Sequence, residues 1–306
     1  MPHYSQKHTV HSEAGAENDQ GRGDGVALVP ASDFTFDELV TIYNQGRIDY
    51  IVPMPMSAIS LREYVRNYDV NLEKSVVAML DGEPAGLNML GVRPGHTWVT
   101  RLEVLPNRRR CGLGQRMMEY VIERSEQLEV PYAVLEVIKD NQPAFHLFHK
   151  LGFREARELL VIRRPPSPPT HDAPNYAIQY LDHERAIMLL RRRQGVPSWL
   201  DEVPSLLNAG GLAALRVELA NGDRGWLVYQ KTPLQLGRIV LQTEVGDPHQ
   251  VGLALIHALY ARFPSTDTKS ENLPVYDPHW SAMQEAGFIE AFRRIEMRLD
   301  MYRNGD

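Results

Sequence analysis

A proline-rich segment near the middle of the chain constrains the fold more than any other feature of the sequence. Residues 163–175 read RRPPSPPTHDAPN, and prolines at this density remove backbone donors and favour an extended spacer. Because helices and central strands do not run through such a segment, the 306 residues are expected to form two units, each near the usual domain size of about 150 residues. We place these units at 25–164 and 175–306, with 165–174 as the linker.

The composition excludes several classes of protein. With 43% hydrophobic and 24% charged residues, most of the chain is expected to be globular rather than disordered. Acidic residues outnumber basic ones by 39 to 33, which argues against a nucleic-acid partner bound through a broad basic surface. The single cysteine, Cys111, cannot form an internal disulfide or a multi-cysteine zinc site, so we expect a reducing compartment and no metal.

The amino-terminal 24 residues carry no apolar run of signal-peptide length and are rich in glycine, serine, histidine and acids. We therefore expect residues 1–24 to be a disordered leader. No stretch approaches the roughly 18 uninterrupted apolar residues that span a bilayer. The sequence predicts a soluble, cytoplasmic protein with no membrane partner.

Hydrophobic periodicity predicts the same order of elements on both sides of the linker. The first unit is expected to contain strands over 26–30, 75–80, 84–90, 96–105, 132–138 and 158–163. Its expected helices are one that is capped by Asp33 and ends near Gly46, one over 60–66, one from Leu113 and one over 142–150, with Gly152 as a C-cap. The second unit is expected to contain strands over 214–219, 226–230, 237–243, near Thr266 and over 294–299, with helices over 249–262 and 279–286.

The sequence EAGF at 285–288 occupies the place that KLGF occupies at 150–153. The predicted fold is thus mixed α/β, a tandem of two related domains, each with a mostly antiparallel sheet flanked by helices.

Residues 108–114, RRRCGLG, connect a predicted strand to the helix that begins at Leu113. Glycines allow the backbone to approach a ligand, the helix start presents unpaired N–H groups, and the arginines add positive charge. This combination predicts a pyrophosphate-binding loop, which we call the arginine loop. On this pattern alone, a solvated loop of arginines stays an open alternative.

A second motif follows at 141–153, NQPAFHLFHKLGF. Together, the two motifs resemble those of the GNAT superfamily of acyl-CoA-dependent N-acetyltransferases. The arginine loop matches the Q/R-x-x-G-x-G/A signature at Arg109, Gly112 and Gly114, and the second motif follows N-x-x-A-x-x-L-Y-x-K-L-G-F except at Phe148. The resemblance covers residues 25–164 well and residues 175–302 in outline.

The resemblance implies acetyl-CoA as co-substrate and an amine, on a small molecule, peptide or protein, as acceptor. It implies a cleft where the strand over 96–105 splays from its neighbour, with the pantetheine arm along the strand and the diphosphate on the loop. The residues implied in acetyl-CoA binding are Val104, Leu105, Arg109, Arg110, Cys111, Gly112, Leu113, Gly114, Gln115, Asn141 and Phe148. For Cys111 two readings are open: a small residue tolerated in the loop, or a redox-sensitive thiol.

In GNAT enzymes the acetyl group moves directly from acyl-CoA to the amine in a ternary complex. Glu103 and Glu136, each inside a predicted strand, are the candidate general bases. Glu103 has an alternative role in a salt bridge with Arg101 on the same strand face. Phe148 stands where the family usually has a tyrosine that protonates the thiolate, and it has no proton to donate. The nearby His146 and His149 are expected on the surface.

Acceptor specificity in the family comes largely from the first two helices and their connection. Here that connection offers Tyr43, Asp49, Tyr50, Met54 and Met56, which either line an acceptor pocket or simply pack.

The second unit is expected to be a degenerate copy of the first. Residues 248–254, PHQVGLA, keep a G-x-A at the expected loop position but contain no arginine, Asp247 precedes them, and Tyr276 replaces Asn141. We predict poor diphosphate binding there and a role in covering or extending the acceptor cleft. The leading function is therefore N-acetyl transfer from acetyl-CoA to a primary amine. A non-catalytic acyl-CoA-binding or regulatory module is the alternative.

Overall fold

The protein is described by a computed structural model over residues 25–167 and 175–302. The predicted leader, 1–24, and most of the predicted linker, 168–174, lie outside the described residues. No helix of the described part is long and apolar enough to cross a membrane.

The predicted strands and helices are present, in the predicted order. The first half of the chain contains β1 Val26–Pro30, α1 Phe36–Gly46, α2 Ala58–Asn67, β2 Val76–Leu80, β3 Glu83–Arg93, β4 His96–Val104, α3 Leu113–Gln127, β5 Tyr132–Ile138, α4 Gln142–Lys150 and β6 Arg154–Arg164. The second half contains β7 Tyr176–Leu181, α5 His183–Arg191, α6 Val203–Ala209, β8 Leu212–Leu219, β9 Arg224–Lys231, β10 Gln235–Val245, α7 Pro248–Arg262, β11 Asp267–Pro274, α8 Trp280–Glu285 and β12 Ile289–Asp300.

The start of α1 differs from the prediction in its capping residue. Thr35 accepts a hydrogen bond from the Glu38 N–H at 3.3 Å, and the Glu38 carboxylate accepts one from the Thr35 N–H at 2.8 Å. This reciprocal capping box satisfies two N–H groups that a helix start leaves free. Asp33, the predicted cap, instead ends a short 3₁₀ turn over Ala31–Asp33.

The twelve strands of the described residues form one continuous mixed sheet, in the order β1-β2-β3-β4-β5-β12-β6-β11-β10-β9-β8-β7. β12, from the second half, pairs with β5 of the first half, and β6, from the first half, pairs with β11 of the second. The two halves therefore exchange their last strands. The mixed α/β tandem fold is confirmed. The domain boundaries at 164 and 175 stay a prediction.

The exchange extends into the hydrophobic core. Ile295 and Met297 of β12 pack among the buried residues of the first half, and Leu160 and Ile162 of β6 pack among those of the second. Because β6 and β12 pair with each other and with an outer neighbour, both are longer than the predicted 158–163 and 294–299. Each half thus depends on the other for its core.

Residues 176–209, for which no element was predicted, form β7, α5 and α6. β7 is the last strand of the sheet, and most of its side chains are exposed. An edge strand exposed on both faces shows no strict alternation of apolar and polar residues, which explains why the pattern did not reveal it.

Candidate functional site

The first half opens where β4 and β5 separate. The two strands are parallel neighbours only where Thr97, Trp98 and Val99 face Ala133, Val134 and Leu135. Beyond these pairs the strands diverge, and a cavity of about 260 Å³ lies between them. We call this space the β4–β5 cavity. Its strands splay apart as predicted for an acyl-CoA cleft.

A β-bulge in β4 shapes one wall of the cavity. Between Thr100 and Glu103, β4 has one residue more than the facing stretch of β3, and Arg101 within it has a left-handed φ of 55°. A bulge interrupts the alternation of side chains along a strand. Arg101 and Glu103 consequently do not form the salt bridge considered from sequence. Glu103 instead binds Arg47, which follows α1, at 2.5 Å.

Glu103 and Glu136, the two predicted base candidates, both line the β4–β5 cavity. Burial raises the pKa of Glu103, and its ion pair with Arg47 opposes that rise. Glu136 has no cationic partner of this kind; it accepts hydrogen bonds from Trp98 Nε1 at 2.7 Å and Asn272 Nδ2 at 3.1 Å. Burial, reinforced by the neighbouring Glu296, raises the pKa of Glu136 to about 7.

The second half completes the cavity. Leu200, Glu271 and Arg294 contribute to its lining, and Asn272 links Glu136 to the Arg294 guanidinium, from which it accepts a hydrogen bond at 2.9 Å. Burial would raise the pKa of Glu271, but Arg294 and Lys269 lower it to about 2. These residues were not predicted from sequence, because Glu271, Asn272 and Arg294 reach the cavity only through β11 and the exchanged β12, and Leu200 only through the short 3₁₀ turn Trp199–Asp201.

An aromatic wall closes another side of the cavity. Tyr64, Tyr68 and Trp98 contact one another, with ring centroids 4.9 to 6.1 Å apart. The Tyr64 hydroxyl lies 2.6 Å from Thr100 Oγ1, and Tyr68 accepts a hydrogen bond from Arg238 of the second half at 3.2 Å. These rings were not predicted as site residues, because aromatic residues at helical spacing are indistinguishable from core residues in sequence.

The arginine loop leaves the start of α3 uncapped. Gly112 is the N-cap residue with φ of 84°, no side chain among the described residues caps this end, and the first bond within the helix is from the Arg116 N–H to the Gly112 carbonyl. Within the described part of the chain, the N–H groups of Leu113, Gly114 and Gln115 have no hydrogen-bond acceptor. Such an end binds anions, because its N–H groups and the helix dipole both favour negative charge.

The arginines of this loop differ in their contacts. Arg109 donates to both Asp49 carboxylate oxygens at 2.7 Å, to the Gly46 carbonyl at 3.0 Å and to the Val104 carbonyl at 3.1 Å. These bonds tie the connection between α1 and α2 to the end of β4. Arg110 is exposed, with a left-handed φ of 66°. The observed hydrogen bonds of Arg109 position the loop beside the cavity. Direct contact of Arg109 with a diphosphate stays a prediction.

The remaining predicted cofactor residues surround the same region. Cys111 is exposed and its thiol donates to the Arg108 carbonyl, whereas Gln115 accepts a hydrogen bond from Lys150 of α4 at 2.8 Å. Val104 is the last residue of β4 and Leu105 follows it, just beyond the cavity lining.

The second motif places three residues at the cavity, Asn141, Ala144 and Phe148. Asn141 caps α4 by accepting from the Ala144 N–H at 3.3 Å and donates to the Tyr50 hydroxyl at 3.2 Å. Phe148 is buried, lines the cavity and packs near Phe153. His146 and His149 are exposed, as predicted.

The stretch predicted to hold the acceptor is split by the structure. Tyr50 and Met54 line the cavity, whereas Tyr43 is fully buried behind it and donates from its hydroxyl to the Met54 carbonyl at 3.1 Å. Asp49 is engaged with Arg109, and Met56 forms backbone bonds with the Asn44 side chain. Pattern alone could not separate residues that face the cavity from those that pack behind it.

The corresponding loop of the second half is shifted from the predicted position. Residues 248–254 form the first two turns of α7, and Gly252 packs against Ala282 inside the structure instead of lying in a loop. The N-cap is Asp247, and its carboxylate accepts from the N–H groups of His249 and Gln250, each at 3.3 Å. The matching G-x-A was therefore a coincidence of helix packing, and Asp247 itself occupies the helix start.

Among the described residues, no group of three or more histidines, cysteines or carboxylates is arranged to hold a metal ion. The site therefore consists of an uncapped helix start, a splayed strand pair and a cavity with buried carboxylates and guanidinium groups. The uncapped N–H groups and the adjoining open cleft suit a co-substrate with a diphosphate at one end and a reactive group at the other.

Comparison with known proteins agrees with this geometry. Residues 41–153 match the model of the Acetyltransferase (GNAT) family. No curated protein matches the chain.

Solved structures match over almost the whole length. A GCN5-related N-acetyltransferase from Sphaerobacter thermophilus is 18% identical with a TM-score of 0.65, covering 93% of this chain and 98% of that one. A tandem GNAT protein from the clavulanic acid biosynthesis pathway is 14% identical with a TM-score of 0.60, covering 92% and 100%. A putative acetyltransferase from Pyrococcus horikoshii is 13% identical with a TM-score of 0.62, covering 93% and 92%.

At these identities the solved structures establish the fold, and the family match establishes the kind of domain in the first half. Residues 41–153 are a GNAT acetyltransferase domain, and the whole chain has the fold of a tandem GNAT protein.

Proposed function

We propose that the protein transfers an acetyl group from acetyl-CoA to a primary amine, and that the reaction takes place in the β4–β5 cavity with Glu136 as general base. The single observation that carries this proposal is the position of Glu136. Its carboxyl faces the cavity, has no cationic partner of its own, and has a pKa of about 7. A base works best when its pKa lies near the operating pH.

The contacts of Glu136 fit this role. Trp98 donates a hydrogen bond to Oε2 of Glu136 and Asn272 donates one to Oε1. These two bonds fix the orientation of the carboxyl group. Glu103 is held by Arg47 and is thereby a weaker candidate for accepting a proton, because an ion pair favours its charged form. We assign Glu103 to positioning Arg47 and Glu136 to removing the proton from the amine, directly or through water.

The anion-binding end of the site supports acetyl-CoA as the co-substrate. The uncapped start of α3 offers N–H groups to a diphosphate, and Arg110 adds exposed positive charge. When bound, acetyl-CoA supplies the activated thioester carbonyl. Phe148 donates no proton, but the thiolate is a tolerable leaving group because the pKa of a thiol, about 8.5, lies well below that of an amine.

Calorimetric titration of acetyl-CoA into the full chain tests the proposal, together with release of free thiol in the presence of a panel of primary amines. We expect one site per chain, weakened in an Arg110→Ala variant and in an Arg109→Ala, Arg110→Ala double variant. An Arg293→Ala variant, which removes a half-buried arginine of β12 that pairs with Glu158 away from the arginine loop, serves as the control and should bind normally.

Two results separate the candidate functions. A folded protein that fails to bind acetyl-CoA would refute both the transferase and the acyl-CoA-binding module. Binding without thiol release, for every amine of the panel, would favour the non-catalytic module.

A further inference from the structure

Besides Arg294 of the second half, two arginines of the first half line the β4–β5 cavity, Arg47 from the end of α1 and Arg101 from the bulge in β4. The Arg47 guanidinium lies 3.7 Å from the centroid of the Tyr50 ring, and that of Arg101 lies 4.2 Å from the centroid of Tyr64. Aromatic faces hold the planes of both groups in place. Their positions are therefore defined by packing as well as by charge.

Both guanidinium groups are only partly satisfied. The Nε and Nη2 atoms of Arg47 and the Nε atom of Arg101 are buried without a hydrogen-bond partner. Arg47 uses Nη1 to bind Glu103, and Arg101 uses Nη1 to donate to the Tyr43 hydroxyl at 3.2 Å. Buried N–H groups without acceptors are costly, and those of a charged group more so. A structure that keeps three of them beside one cavity points to a ligand that supplies acceptors.

The charges around the cavity do not balance at neutral pH. Glu103 is paired with Arg47, and Glu271 is paired with Arg294. Within the described residues Arg101 makes no ion pair, and Glu136, which burial keeps partly protonated, compensates its charge only in part. The cavity therefore has an excess of positive charge centred on Arg101.

We propose that the acceptor amine also carries a carboxylate, and that Arg101 and Arg47 bind this carboxylate. The inference rests on the proposed function and names its substrate class, a small molecule of the amino-acid type. Guanidinium groups bind carboxylates through paired N–H donors, which is the chemistry the unsatisfied atoms offer.

The rest of the cavity suits the amine end of such a molecule. Tyr64, Tyr68 and Trp98 form a cluster of rings, and rings of this kind attract an ammonium group. Glu136 hydrogen-bonds to one of them, Trp98, and is placed to take a proton from the amine. A zwitterion thus finds a complementary group for each of its charges.

The volume limits the size of the acceptor. About 260 Å³ lies below the usual range of roughly 300–1,000 Å³ for ligand pockets. Part of this space must receive the acetyl end of the co-substrate. The remaining room fits a free amino acid better than a folded protein surface.

A carboxylate could enter the cavity from a second source, the acyl group of the co-substrate. The phosphates of CoA belong at the start of α3, and its pantetheine arm is uncharged, so only a dicarboxylic acyl chain would bring an anion to Arg101. The chemistry recognised is the same. The experiment must therefore compare acyl donors as well as acceptors.

The test measures thiol release from acetyl-CoA with common L-amino acids and with the amines that lack only their α-carboxylate. We expect the preferred amino acid to have at least about a 100-fold higher kcat/KM than its matched amine, since the amine leaves the buried guanidinium N–H groups without their charged acceptor. In Arg101→Met this preference should fall to within a few-fold, and Arg101→Lys should keep part of it.

Thermal unfolding provides a readout independent of turnover. The amino acid that is preferred should raise the Tm of the parent protein and not that of Arg101→Met. Without ligand, Arg101→Met should unfold no lower than the parent, because it removes an uncompensated charge. A merely structural Arg101 would give a lower Tm in this variant. The matched control is Arg298→Met, which removes an arginine stacked on Tyr132 at 3.9 Å, outside the cavity.

Several outcomes would overturn the inference. These are equal use of the matched amines, a preference unchanged in Arg101→Met, or a preference of the parent for succinyl-CoA over acetyl-CoA that depends on Arg101. The last result would assign the carboxylate to the acyl chain. Failure of the proposed function looks different, because then no amine of either kind would release thiol from acetyl-CoA.

Discussion

The starts of α3 and α7 occupy corresponding places in the two halves and have opposite chemistry. At α3, Gly112 leaves the first N–H groups without acceptors among the described residues. At α7, Asp247 accepts from two N–H groups, Pro248 has none, and the Asp223 carboxylate accepts from the Asp247 N–H at 3.1 Å. The second half therefore fills its own anion site with carboxylates.

This difference teaches how a duplicated binding site can be lost while its fold is retained. An aspartate at the N-cap both stabilises the helix and repels an incoming phosphate. The cleft geometry itself persists, because β10 and β11 are parallel neighbours over only two residue pairs and a cavity of about 510 Å³ lies beside them. The bulge persists too, since Arg238 of β10 has a left-handed φ of 51° that matches Arg101.

A second contrast concerns two carboxylates of the β4–β5 cavity. Glu136, from the first half, has a pKa of about 7, whereas Glu271, from the second, has a pKa of about 2 because Arg294 and Lys269 outweigh its burial. Only Glu136 can exchange a proton near neutral pH. The half that retains the anion site thus also supplies the titratable carboxyl.

The largest expected effect comes from removing that carboxyl. Glu136→Gln keeps the size of the side chain and one of the two hydrogen bonds that Glu136 accepts, but it cannot accept a proton, so kcat should fall by about 10²–10⁴-fold. In the parent, kcat/KM should rise with pH through about 7 as Glu136 ionises, and this limb should disappear in the variant. Acetyl-CoA affinity measured by calorimetry should stay within a few-fold.

The control is Glu158→Gln on β6, which lies outside the cavity lining. Unchanged turnover in Glu136→Gln would remove Glu136 from the mechanism.

The same substitution should change the dependence of stability on pH. Burial raises the pKa of Glu136 in the folded state from about 4.5 to about 7, so between these values the folded state binds more protons than the unfolded one. Stability from this group is present below about pH 4.5 and is lost as the pH rises to about 7, by on the order of 3 kcal/mol. Denaturant unfolding at pH 5 and pH 8 should therefore show a smaller loss for Glu136→Gln than for the parent. Parallel curves for the two proteins would contradict the raised pKa.

Giving the start of α3 an aspartate cap like that of α7 should weaken the binding of acetyl-CoA. In Gly112→Asp a carboxylate stands before α3, and nothing lies within 4 Å of a Cβ at this position, so the side chain has room. Loss of two hydrogen bonds to a charged group predicts at least about a 100-fold higher Kd for acetyl-CoA. Gly112→Asn, which adds a similar volume without the charge and tolerates a positive φ, is the control. Equal affinities of the Asp and Asn variants would show that charge at α3 is unimportant.

The smallest effect is expected at the second helix start. Asp247→Ala removes a cap and should lower the free energy of unfolding by about 1 kcal/mol. Acetyl-CoA stoichiometry should remain one per chain, because no arginine accompanies the freed N–H groups in residues 248–254. A second site appearing in Asp247→Ala would show that the cap alone silences the second half.

Much of the fold could be predicted from local patterns. The strands and helices of the first half followed from periodicity and turn residues, with errors of a few residues at their ends. The repeat across the linker was visible in the element order and in the similar sequences KLGF at 150–153 and EAGF at 285–288. The capping residue of α1 was missed because Asp33 and Thr35 are both good caps, and only the turn before the helix selects between them.

The candidate site was less accessible to sequence reasoning. Glu103, Glu136, Asn141 and Phe148 were identified and do line one cavity. Arg47, Arg101 and Glu271 were not assigned to the cavity, because a charged side chain shows no pattern until its surroundings are known. The G-x-A match around Gly252 was misleading, since short glycine motifs also occur where helices pack closely.

The sequence by itself determined the element order outside residues 176–209, the tandem repeat and the glycine–arginine loop before α3, because each depends on residues close together in the chain. Only the tertiary structure decided the exchange of β6 and β12, the pairing of Glu103 with Arg47, the entry of Glu271 and Arg294 into a site of the first half, and the hydrogen bond from Asn272 to Glu136. These contacts join residues far apart in the chain, and the pKa of Glu136 depends on them. The physical reason is that burial and charge act through space, so the chemistry of a carboxyl is set by the neighbours that folding brings to it.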